Sequence, residues 1–185
     1  MDFGVGFYIS QGLSILTAIF SILAEQMKKM KHILIFQTVV NLLAALSYVF
    51  LVDGRAGFIV SMIGTVQSVI MYIYDKKGKR PHLVLTLGFI AAYLFLSLYN
   101  NTDKIINFLP AAAAVCFALA VMQRNPKMYR IFDFSNAVLW LVYDVCILSG
   151  NFFVHLGIAI SALIGLIRLD GLFGIVRKPK DKLQK

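Results

Sequence analysis

Seven long apolar blocks, at residues 3–24, 33–52, 56–74, 83–99, 105–122, 129–148 and 152–167, constrain this chain more than any other feature. Most approach the roughly 20 residues that carry a helix across the hydrocarbon core of a bilayer. Lipid offers no hydrogen bonds to a backbone, so an immersed segment must satisfy its own N–H and C=O groups, and repeated apolar blocks become a helical bundle. Composition agrees: of 185 residues, 59% are hydrophobic and 15% charged, too little polar surface for a soluble domain. The expected fold is all-α, a polytopic membrane protein of seven transmembrane helices in a single membrane domain over 1–185. Asp2 and no basic residue precedes the first block, so that block is expected to stay as a helix rather than be cleaved as a signal peptide. Cys116 and Cys146 fall inside predicted helices without metal-ligand spacing and are expected to be small packing residues.

A net charge of +9 would fit a nucleic-acid binder, but its distribution gives a membrane topology instead. Sixteen of the eighteen Lys and Arg residues fall on one side. They are Lys28, Lys29 and Lys31; Lys76, Lys77, Lys79 and Arg80; Arg124, Lys127 and Arg130; and Arg168, Arg177, Lys178, Lys180, Lys182 and Lys185. The alternate connections hold only Arg55 and Lys104. Basic connections stay in the cytoplasm, which places the N-terminus outside and the basic C-terminal tail inside. Six or eight helices would scramble this alternation. The partners expected are the lipid bilayer and a small polar solute, with no nucleic acid.

The chain also repeats itself. Laying 37–48 (QTVVNLLAALSY) over 132–143 (FDFSNAVLWLVY) sets Asn41 on Asn136 and Tyr48 on Tyr143. The same offset sets the basic turn 28–32 over 123–127, and after a one-residue gap Gly54 meets Gly150 and Ser61 meets Gly157. Each unit reads helix, basic turn, helix, tight outer turn, helix. The expected organisation is a first triplet at 1–77, a linker helix at 78–103, a second triplet at 104–170 and a tail at 171–185. Three helices reverse the chain's direction and a fourth restores it, so the triplets become parallel repeats about an axis along the membrane normal. Pro81 suits the first turn of the linker helix.

Polar side chains are costly in a bilayer, so their positions carry information. Asp133, Asn136, Trp140 and Asp144 are spaced by three, four and four and share one face of the sixth helix, with Tyr143 beside them. Asp133 and Asp144 stand about 16 Å apart along the axis, too far to act as one acid–base pair, and each is a possible ion or proton site. For Asp133 the alternative is a side chain that snorkels to the cytoplasmic interface. Asn41, with Tyr48 further along the second helix, sits at the matching depth. These residues read as walls of a polar cavity, with helix–helix hydrogen bonding as the alternative. The ladders Gly57, Ser61, Thr65 and Gly157, Ser161, Gly165 read first as close-packing faces. Ser10, Ser14, Thr17 and Ser21 form a stripe on the first helix, and Pro110 precedes Ala111 to Ala114 in the fifth.

Several short runs carry a resemblance: Ile9-Ser10-Gln11-Gly12, the turn 28–32, Ala56-Gly57, Asn107-Phe108-Leu109-Pro110 and Gly165-Leu166-Ile167-Arg168. Together they resemble the bacterial inner-membrane family named after YgjV, which implies a location in the bacterial cytoplasmic membrane. The three-plus-one-plus-three plan further resembles the SWEET sugar transporters and related PQ-loop proteins, which also place the N-terminus outside. The chain departs from that pattern in its details. The first helix has no proline, Ser61, Gly64, Gly157 and Gly165 stand where an Asn would be sought, and Glu25-Gln26 replaces the PQ pair.

The resulting functional expectation is a transporter of a small polar metabolite, sugar or vitamin-like, working by alternating access between the triplets. Asn41, Tyr48, Asn136 and Trp140 would bind the solute, through amide hydrogen bonds and an aromatic face. The alternative is a non-transporting membrane scaffold or accessory protein. An enzyme is not expected: His32, His82 and His155 are scattered, no nucleophile–base constellation is present, and nothing implies a bound cofactor or metal.

Overall fold

A computed structural model describes residues 5–50, 55–79, 81–99, 108–146 and 152–171, with the side chains at 55–57, 96–98, 110 and 144 outside that description. Gly54, Gly150, the side chains of Pro110 and Asp144 and most of the basic tail therefore lie outside that description. Among the described residues the chain forms seven α-helices: α1 (Val5–Glu25), α2 (Met30–Val49), α3 (Arg55–Lys76), α4 (Leu83–Tyr99), α5 (Phe108–Val121), α6 (Pro126–Cys146) and α7 (Phe152–Arg168). By length and composition, α1, α2 and the Phe58–Lys76 stretch of α3 qualify as membrane spans. Leu83–Phe95, Ala111–Val121 and Phe152–Arg168 are shorter apolar helices.

The helices depart from the apolar blocks mainly at their ends. Both α2 and α6 begin three residues before their blocks, on Met30-Lys31-His32 and Pro126-Lys127-Met128. Apolarity marks the hydrocarbon layer, whereas the backbone keeps its helical bonds into the interface, where charged side chains are solvated. Asn125 fixes the start of α6: its Oδ1 accepts the Lys127 amide at 2.9 Å, and Pro126 fills the first helical position. Pro81 falls outside the helix, because the carbonyl of His82 accepts the first bonds of α4, from the amides of Leu85 and Thr86. Gly78, at φ +64°, ends α3 with amide bonds from Gly78 to Asp75 and from Lys79 to Tyr74. That left-handed turn is one an L side chain enters only with strain.

In chain order α1 packs on α2, α2 on α3, α5 on α6 and α6 on α7; α4 lies chiefly against α5, α1 meets α7, and α3 touches α4 and α5. The outer surface is greasy. Val84 is 80% exposed and Ile15 62%, which suits a lipid-facing side chain and not a water-facing one. At the basic end Met30, Ile33 and Leu34 of α2, Met71 of α3, Ala120 and Val121 of α5 and Tyr129 of α6 form one buried cluster. A second cluster joins Tyr93 of α4 to Ala114 and Ala118 of α5, where alanines let the backbones approach.

Candidate functional site

Glu25, Arg130, Asp133 and Ser161, all buried, gather along the seam where α1 meets α6 and α7. The last turn of α1 leaves its carbonyls without helical partners. Arg130 of α6, fully buried, reaches across to them: its Nε donates to the Glu25 carbonyl at 2.7 Å and its Nη2 to the Met27 carbonyl. Its Nη1 pairs with Asp170 Oδ2, just beyond α7, at 2.7 Å. A guanidinium suits this place, because its planar fork serves several acceptors at once and its charge opposes the negative end of the α1 dipole. Gly165 makes the room. A Cβ there would lie 2.8 Å from Arg130 Nε and 2.9 Å from the Glu25 carbonyl oxygen.

Higher on the same seam, Ser161 Oγ donates to the Ile22 carbonyl at 3.1 Å, and Gln26 Nε2 donates to both Ser161 Oγ and its carbonyl. A Cβ at Gly157 would meet Ile22 at 3.7 Å. The Gly157, Ser161, Gly165 ladder is thus the face on which α7 approaches α1.

Behind Arg130 lies a cluster of acids and amides. Glu25 is fully buried, and neither carboxylate oxygen has a hydrogen-bond partner. Asp133 and the hydroxyl of Tyr129 stand beside it. Asp133 is buried rather than snorkelled, and its Oδ1 accepts Asn136 Nδ2 at 3.3 Å. Gln37 of α2 donates through Nε2 to the Tyr129 hydroxyl. The carboxamide oxygen of Asn136 is buried and unmatched. Four elements therefore supply this cluster, or abut it: α1, α2, α6 and α7.

The residues singled out in the sequence do not all meet there. Asp133 and Asn136 belong to the cluster. Trp140 stands further along α6, its ring stacked on the His155 imidazole at 5.6 Å and edge-on to Tyr143 at 5.7 Å. Asn41 turns to α3: a Cβ on Gly64 would fall 2.6 Å from its Oδ1, and its Nδ2 donates to the Gln37 carbonyl at 2.8 Å. Tyr48 is half-buried on α2. The side chain of Asp144 lies outside the described residues. Polar contacts on the other half of α2 serve packing, with Ser47 Oγ 2.9 Å from Ser10 Oγ and 3.1 Å from Ser14 Oγ.

Glu25, Gln37, Tyr129 and Arg130 escaped the sequence reading. Glu25 had a signal: an acid at the C-terminal end of a helix opposes the dipole and needs a tertiary partner to sit there. Arg130 had none, since a buried arginine and a topology-setting one look alike at the start of a helix.

These features define a polytopic helical membrane protein with a buried, charged seam among its helices. The chain belongs to the Imp-YgjV family of bacterial inner membrane proteins, whose model matches residues 8–171. No curated protein and no solved structure matches the chain.

Proposed function

We propose that this protein is a carrier of a small polar solute across the bacterial inner membrane, with the N-terminus outside, the C-terminus in the cytoplasm and no enzymatic chemistry. In this reading α1–α3 and α5–α7 are parallel halves, α4 links them, and rocking of one half on the other exposes the site alternately. The packing supports it. Contacts are extensive within each half and thinner between them, where α1 meets α7 and α3 meets α5. Those two junctions are related by the sequence repeat. The alignment that sets Asn41 on Asn136 carries Ala118 to Leu23 and Gln67 to Leu163. Gln67 Nε2 donates to the Ala118 carbonyl at 3.2 Å, while Ser161, beside Leu163 on the same helix, donates to the Ile22 carbonyl.

One observation carries the proposal: the polar cluster at the seam between halves holds an unmatched Asn136 carboxamide oxygen. Residues that serve only as packing glue are expected to have their buried polar atoms satisfied. A seam able to part and admit a hydroxyl- or amide-bearing solute would match that oxygen. The scaffold reading has its own support in Asn41, which is engaged against Gly64 and Gln37. A thermal-stability screen of purified protein against sugars, vitamins, amino acids and organic acids separates the two readings. A carrier is stabilised by one class of solute, because a ligand that binds only the folded state raises its stability. A scaffold responds to none.

A further inference from the structure

We propose that Glu25 and Asp133 share one exchangeable proton, held as a carboxylic acid–carboxylate hydrogen bond between α1 and α6; its use as a co-transported ion rests on the carrier reading above. Glu25 is fully buried with both carboxylate oxygens unmatched, and its neighbour is a second buried carboxyl. A charged carboxylate without donors in a low-dielectric interior is costly, and two side by side more so.

Among the described residues, the groups around the two acids offer fewer hydrogen bonds than two carboxylates need. The Nε, Nη1 and Nη2 groups of Arg130 are directed to the Glu25 and Met27 carbonyls and to Asp170. The Tyr129 hydroxyl has one proton to offer, and Gln37 donates to that hydroxyl rather than to the acids. Asn136 reaches Asp133 alone. His155 of α7 and the Cys116 thiol of α5 also lie near Asp133. Counting Asp170, the described residues bring three carboxyls and one guanidinium, that of Arg130, to this end of the seam, and one proton halves that excess of negative charge. The proton forms an O–H bond on one carboxyl, donates to the other, and leaves to water when the seam parts; no electrons are exchanged.

The test is infrared spectroscopy of the full chain in lipid nanodiscs, observing the C=O stretch of a buried protonated carboxyl. The wild type should show this band, moved by deuterium exchange and by carbon-13 aspartate or glutamate. Glu25→Gln and Asp133→Asn should each abolish it, since either leaves the remaining acid with no second carboxyl to share a proton with, and Asp75→Asn should spare it. A band that survives either variant belongs to one carboxyl alone and overturns the sharing. So does a band abolished on replacing choline by sodium, which would make a metal cation the ligand. Should the variants fail to fold, the isotope labels on the wild type still decide: a band that ignores both labels, or no band from mildly acidic to mildly alkaline pH, overturns the proposal. The readout needs no flux, so a band in a protein that moves no solute upholds the pair and overturns only the carrier.

Discussion

Gly165 has Arg130 on one side and the end of the α1 backbone on the other, and that makes it the least replaceable small residue of the seam. A methyl group there would press on the Glu25 carbonyl at 2.9 Å, and backbone does not yield as a side-chain tip does. Gly165→Ala should destabilise the protein by about 1–3 kcal/mol, seen as an earlier thermal unfolding transition in detergent. Gly12→Ala, where nothing lies within 4 Å, should leave the transition in place. Gly64 differs, because its close neighbour is the tip of Asn41. Gly64→Ala should cost less in an Asn41→Ala background than alone, a coupling of about 0.5 kcal/mol or more in a double-mutant cycle. At this scale the sequence was a partial guide. Small residues every fourth position announced a close approach, and the α7 ladder makes one. The same spacing could not say which side chain fills the space, so the pairing of Gly64 with Asn41 and of Gly165 with Arg130 needed the fold.

The end of α1 depends on a residue from another helix, and the strength of that dependence is measurable. Arg130→Leu leaves Asp170 and two carbonyls without their donor. It should cost about 3 kcal/mol or more, the usual penalty for breaking a buried, hydrogen-bonded ion pair. Arg130→Lys should recover only part of this, because a point-like ammonium cannot reproduce the fork. Thermal unfolding of the two variants beside the wild type checks both the size and the order. Helix positions were legible because hydrocarbon demands long apolar runs, and helix ends were not, because α2 and α6 continue as helix into charged, solvated sequence. The closeness of Asp133 and Asn136 on α6 was legible through their spacing. Their partners on α1 and α2 were not, since Glu25 and Gln37 are single polar residues with no period of their own.

Across the whole molecule, the skew of basic residues fixes how the bundle should sit. With Cys116 and Cys146 replaced by serine, an impermeant maleimide added to spheroplasts should label a cysteine at position 55 and spare one at position 77. The reverse pattern would invert the topology and place the Arg130 clasp at the outer face. The number of helices was foreshadowed by the apolar blocks. The location of the charged seam was not, because it depends on α1 meeting α7, a contact between the two ends of the chain. In the proposed function the two halves part along that seam to pass a small polar solute. That reading is tested most directly by exchange of radiolabelled sugars, vitamins, amino acids and organic acids across proteoliposomes holding the purified protein. Exchange of one solute class is expected, lost or reduced at least several-fold in Asn136→Ala with the protein still folded. No exchange by the wild type across all four classes, or full exchange by Asn136→Ala, would contradict that reading.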